Sequence, residues 1–285
     1  MTFPAQAQDF TTIAYGEFAT SFGELTVPKG DGPFPVVVTV HGGCWRSDSE
    51  STVARYRPHA KELAAHGVAT WNLEFRRVGH EGGGWPGSFL DLGSALDHLQ
   101  IIAKSHPIDL NRVVALGHSS GGHFAAWLAS RPLLPSDSKI RGELHVHLAG
   151  VVISDAFIDP RVVGSRGVDG KIYCGEPILE RLVGGNPETH PEQLRQISPL
   201  EWLPWGIPQE YVVSSLRYPV NPPRPLAGGW TTMVMPDYPE LADNAGDEIN
   251  VVIIADAEHL GFYFPGNDSY DEVMTAVLRM VAKTE

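Results

Sequence analysis

Short apolar runs rich in valine and isoleucine alternate along the chain with longer stretches whose apolar positions recur at i, i+3 and i+4. This alternation predicts an α/β protein with a mostly parallel sheet. Strands are expected at 11–15, 22–27, 35–41, 68–75, 113–118, 148–154, 209–214 and 249–255, and helices at 51–66, 88–104, 120–130 and 268–283. The helices would cover both faces of an eight-stranded sheet. No helical stretch separates the first two strands, so an antiparallel hairpin is expected to start the fold. Residues 156–208 carry helical fragments among Gly and Pro and read as a small cap. The Pro- and aromatic-rich stretch 216–239 reads as a long loop after the seventh strand. No repeat, low-complexity tract or composition shift divides the chain, so residues 1–285 are expected to form one domain.

Composition narrows the function classes. The chain has 285 residues, with 21 Lys+Arg against 34 Asp+Glu and a net charge of −13. Such a field repels phosphate backbones, and no basic run offsets it, so nucleic acid is not an expected partner. No apolar run approaches the length of a membrane helix. The N-terminal MTFPAQAQDF lacks the basic and apolar regions of a secretory signal, so a cytoplasmic location is expected. Cys44 and Cys174 are far apart in sequence with no C-x-x-C pairing, which predicts free thiols rather than a disulfide or a zinc site. Oligomeric state is not readable; a dimer is compatible.

The chemistry lies on the loops. Residues 117–121 read Gly-His-Ser-Ser-Gly, directly after the apolar run VVAL and before a helix of small residues. A serine on such a strand-to-helix turn is forced outward, and the flanking glycines permit the strained backbone. Ser119 is the candidate nucleophile. The N–H of Ser120, at the helix N-terminus, is a candidate donor to a developing oxyanion. An earlier strand ends in His41-Gly42-Gly43-Cys44-Trp45, where adjacent glycines let N–H groups turn toward a reacting carbonyl. Gly43 and Cys44 are the candidate donors, and His41 is expected to hold the loop. His259, in Ala257-Glu258-His259-Leu260-Gly261 after the last strand, is the candidate base, since nucleophile before histidine is the required chain order.

With the HGG-x-W and GHS-x-GG motifs, the chain resembles the α/β-hydrolases of the esterase and kynurenine-formamidase type, a group that includes bifunctional feruloyl and acetyl esterase-like proteins. The resemblance runs through FGELTVPKGDGPFPVVVTVHGGCW, LAAHGVATWNLEFRRVGHEGGGWPGSFLDLGSALDHL, NRVVALGHSSGGHFAAWLA and SPLEWL. It implies hydrolysis of a carboxylic ester or an aryl formamide through an acyl-enzyme, without a cofactor. N-formylkynurenine is the alternative substrate it suggests. One departure concerns the triad acid. The family carries it in a G-x-x-D-P-x-V-P-like segment after the seventh strand, where this chain reads Ser214-Ser215-Leu216-Arg217-Tyr218-Pro219-Val220-Asn221-Pro222, with Tyr218 in the aspartate's place. Asp155, after the sixth strand, is the first candidate replacement and Asp237 the second, with Asp256 and Glu210 behind them.

Loop aromatics Trp45, Trp85, Phe157, Tyr218 and Trp230 would suit an apolar or aromatic substrate group, or else form a cap core. Two rivals remain. His145-Val146-His147, with His118 and His123 near the serine, offers imidazoles but no recognisable zinc spacing, so no metal is expected. The displaced acid also allows a catalytically impaired hydrolase fold that serves as a binding protein.

Overall fold

The computed structural model describes residues 10–156, 158–161, 174, 178–215 and 238–284. Eight strands form one sheet: β1 (Thr11–Ala14), β2 (Phe22–Thr26), β3 (Phe34–Val40), β4 (Ala69–Leu73), β5 (Ile108–His118), β6 (Gly150–Ser154), β7 (Gln209–Ser214) and β8 (Ile249–Ile254). Their order is β1-β2-β4-β3-β5-β6-β7-β8. The expected hairpin is there: β1 pairs antiparallel with β2, and β2 with β4. From β4 to β8 every neighbouring pair is parallel.

The central strands are buried on both faces, which is why they read as unbroken apolar runs. Their alternate residues supply two cores. Val36, Val38, Ala115, Val151 and Ile153 pack with Phe124 and Trp127 on one face. Val37, Val114, Leu116 and Val152 pack with Val273 and Val277 on the other. The first face is covered by α2 (Gly87–Asp97) and α3 (Ser120–Ser130), and the second by α1 (Arg57–Ala65) and, after the chain has passed β8, by the final helix (Asp268–Lys283).

The helical stretches follow the expectation only in part. The stretch expected as one helix over 51–66 divides into a 3₁₀ turn, Val53–Tyr56, and α1, because Pro58 fits only the first turn of a helix. Between β6 and β7 the described residues include α4 (Ile178–Val183) and α5 (Pro191–Gln196), the helical fragments expected there. Helix α6 (Tyr238–Ala245) starts inside what reads as loop, again with a proline, Pro239, in its first turn. The final helix is α7. The rest of the expected loop, residues 216–237, lies outside the described residues.

The strand order positions the site. The chain leaves β3, passes to β4 on one side and returns to β5 on the other, so the carboxyl ends of β3 and β5 lie together at a switch point, where open α/β sheets bind ligands. Register then aligns the loops: Val40 faces Gly117, His118 faces Ser154, Ser154 faces Val212, and Ser214 faces Ile254. The segments after β3, β5, β6 and β8 therefore emerge on one edge.

Candidate active site

Ser119 joins β5 to α3 with φ 55° and ψ −128°, a left-side backbone that strains an L residue and thrusts the side chain out of the turn. The flanking glycines are required by space. A Cβ on Gly117 would lie 2.1 Å from the Gly121 carbonyl oxygen, and one on Gly121 would lie 2.1 Å from that of Val40. Ser119 lines a cavity of about 330 Å³ together with Gly43, Cys44 and His259.

The 41–45 loop is pinned at both ends. His41, fully buried, engages the Gly42 carbonyl at 2.8 Å and the Glu74 carboxylate at 3.2 Å, the holding role its position suggests. The Gly42 N–H donates to the Tyr263 hydroxyl at 2.9 Å, and the Trp45 N–H to Ser120 Oγ at 3.2 Å. Burial pushes Tyr263 up to about 12, so its phenol remains protonated. Between these two anchored groups, the N–H groups of Gly43 and Cys44 have no acceptor among the described residues, and neither has that of Ser120. Gly43, at φ 117°, and Cys44, at φ 54°, curl the backbone there. Gly43 and Cys44 line the cavity and Ser120 directly follows Ser119, and unengaged donors so grouped suit a developing negative oxygen.

Asp155 follows β6 at φ 42° and is buried. Its Oδ2 accepts from His259 Nδ1 at 2.6 Å, and its Oδ1 accepts from the Ser214 N–H at 3.3 Å. The loop carrying His259 is braced by β7: Ser214 Oγ donates to the Ala257 carbonyl at 2.6 Å, and the Asp256 N–H donates to Ser215 Oγ at 2.9 Å. The His118 ring lies against that of His259, with centroids 4.4 Å apart. Of the other candidate acids, Glu210 pairs with Arg279 at 2.7 Å and with Asn250, and Asp256 is exposed. Asp237, Tyr218, Trp230 and Phe157 lie outside the described residues.

Two expectations are corrected. Trp45, expected to line the substrate pocket, is 2 % exposed and turned into the core. Its indole N–H donates to His123 Nδ1 at 3.2 Å, and His123 Nε2 meets the Ile197 carbonyl at 2.7 Å. Burial pushes His123 down to about 4, so the ring is neutral and its proton sits on Nε2. Trp45 thus anchors the loop from within the core. Trp85 is half-buried against Phe89, on the core.

The second correction concerns the cysteines, which form a disulfide with Cα atoms 5.6 Å apart, not free thiols. Separation in sequence says nothing about approach in space, and the fold returns Cys174 to the 41–45 loop, where its carbonyl also accepts from Arg46 at 2.9 Å. Such bonds persist in oxidising surroundings and are rare in reducing ones, which weighs against the cytoplasmic expectation. Reduction by dithiothreitol is expected to cost about 2–4 kcal/mol of stability, read as a lower thermal midpoint. Unchanged melting after complete reduction would contradict this.

Among the described residues, His118, Asp155 and His259 bring ligand atoms within 4.8 Å of one another, but the Asp155–His259 hydrogen bond already uses two of them. His145 and His147 are exposed, and His145 pairs with Glu143 at 2.6 Å. No helix of the described chain is long and apolar enough to cross a membrane.

The sheet and its loops define an α/β-hydrolase of the esterase-like kind. The chain belongs to the BD-FAE family, whose model matches residues 24–213. No curated protein matches it in sequence. Among solved structures, native esterase 2 of the planctomycete Thermogutta terrifontis is 16% identical over 97% of this chain and 92% of its own, at a TM-score of 0.71. The same esterase phosphoramylated by tabun gives 18% identity over 99% and 97%, again at 0.71. A bifunctional GH43-CE protein of Bacteroides eggerthii is 16% identical over 95% of this chain and 37% of its own, at 0.71.

Proposed function

We propose that the protein hydrolyses a carboxylic ester by a serine mechanism, with Ser119 as nucleophile, His259 as base and Asp155 as the acid that orients it. The observation that carries the reading is the 2.6 Å hydrogen bond from His259 Nδ1 to a buried carboxylate, on a histidine that shares its cavity with the strained serine. A proton on Nδ1 leaves the lone pair on Nε2, the atom that general-base work uses. His259 takes the Ser119 proton as Oγ bonds to the acyl carbon, and the oxyanion is held by the N–H groups of Gly43, Cys44 and Ser120. The tetrahedral adduct collapses, the alcohol leaves with the proton from His259, and water repeats the cycle on the acyl-enzyme.

Family membership and the esterase neighbours support an ester over an aryl formamide, although the same groups would cut either. The Thermogutta esterase is described as phosphorylated by paraoxon, which supports an organophosphate as the test here. Stoichiometric phosphorylation of Ser119 with loss of ester hydrolysis is the expected result. A chain that is neither labelled nor active would return the reading to an impaired fold that binds.

A further inference from the structure

The cavity beside Ser119 contains a cation that the acyl-transfer mechanism does not use. Arg55, in the 3₁₀ turn Val53–Tyr56, lines it and is half-buried. The chain has 34 acidic against 21 basic side chains, and its arginines generally find a carboxylate. Arg57, two positions on, pairs with Glu24 at 2.6 Å, and Arg76 pairs with Asp91 at 2.6 Å. Arg55 has no ion pair or side-chain hydrogen bond among the described residues. Its guanidinium instead lies over the rings of Tyr263, at 5.9 Å, and Phe264, at 5.7 Å. Those rings hold the charge in place without neutralising it. Tyr263 is also the residue whose hydroxyl receives the Gly42 N–H, so one ring fixes both the oxyanion loop and the cation relative to Ser119. The one carboxylate among the described lining residues is Glu50, which is exposed.

We infer that the site takes a short ester carrying a carboxylate, which Arg55 binds while Ser119 attacks the acyl carbon. This rests on the esterase reading and deepens it. A planar guanidinium with free N–H donors matches a carboxylate bidentately. A cavity of about 330 Å³ is at the small end for ligand sites, so the substrate is compact. The carboxylate lies on the acyl or the alcohol side of the ester, and two substrate pairs separate these.

The experiment measures kcat/KM by proton release for monomethyl glutarate against methyl pentanoate (acyl side), and for 3-acetoxypropanoate against propyl acetate (alcohol side). Wild type and Arg55→Gln are compared, so that intrinsic reactivity cancels within each pair. The anionic-to-neutral ratio is expected to fall by about fivefold or more in Arg55→Gln on one pair, which identifies the side, and Arg55→Lys is expected to recover part of it. A ratio that falls by less than this on both pairs overturns the role of Arg55. A wild type that cleaves none of the four esters overturns it together with the esterase reading.

Discussion

Ser119→Ala is expected to bring hydrolysis of p-nitrophenyl acetate down to background, a loss on the order of 10⁶ in kcat if the triad acts as a unit. The substitution is clean. The Ser119 hydroxyl makes no hydrogen bond to a described residue, and alanine accepts the same strained backbone about as well as serine does. The melting temperature should therefore stay near that of the wild type while turnover disappears. A variant that keeps a tenth of the activity would place the nucleophile elsewhere.

Asp155→Asn is the second large effect, expected at about 10⁴-fold in kcat by analogy with the same change in a serine protease triad. The local hydrogen bonds explain why so small a change costs so much. Oδ1 accepts from the Ser214 N–H, and Oδ2 accepts from His259 Nδ1. An asparagine that keeps its oxygen toward Ser214 must present its NH₂ to Nδ1, which drives the imidazole proton onto Nε2 and removes the base. The flipped amide sets its NH₂ against the Ser214 N–H, donor against donor. Either arrangement fails, and a loss of less than about tenfold would show that another group orients His259.

Much of this arrangement is legible in the sequence. The strands read clearly because the sheet is buried on both sides, and Ser119 reads clearly because Gly117 and Gly121 leave no room for a Cβ. Asp155 stands first among the candidate acids on topology, since it follows the strand next to β7, with Asp237, outside the described residues, as the alternative. What could not be read was contact between distant segments. The Cys44–Cys174 bond joins residues 130 positions apart, and no spacing rule reaches that far. Trp45 reads as a pocket aromatic because nothing in the sequence shows His123 waiting for its indole N–H. Tyr263 and Arg55 carry no motif at all. Their places follow only from the 3₁₀ turns that bring them to the same cavity. Helix α6 was hidden by Pro239, whose position in a first turn is visible only once the helix is known.

Activation of Ser119 as a nucleophile is read out by intact-protein and peptide mass spectrometry after exposure to paraoxon. One diethylphosphoryl group per chain is expected, located on the peptide carrying Ser119, with activity lost in proportion and no label on Ser119→Ala. An unmodified wild-type chain, or a label that persists in Ser119→Ala, would contradict it.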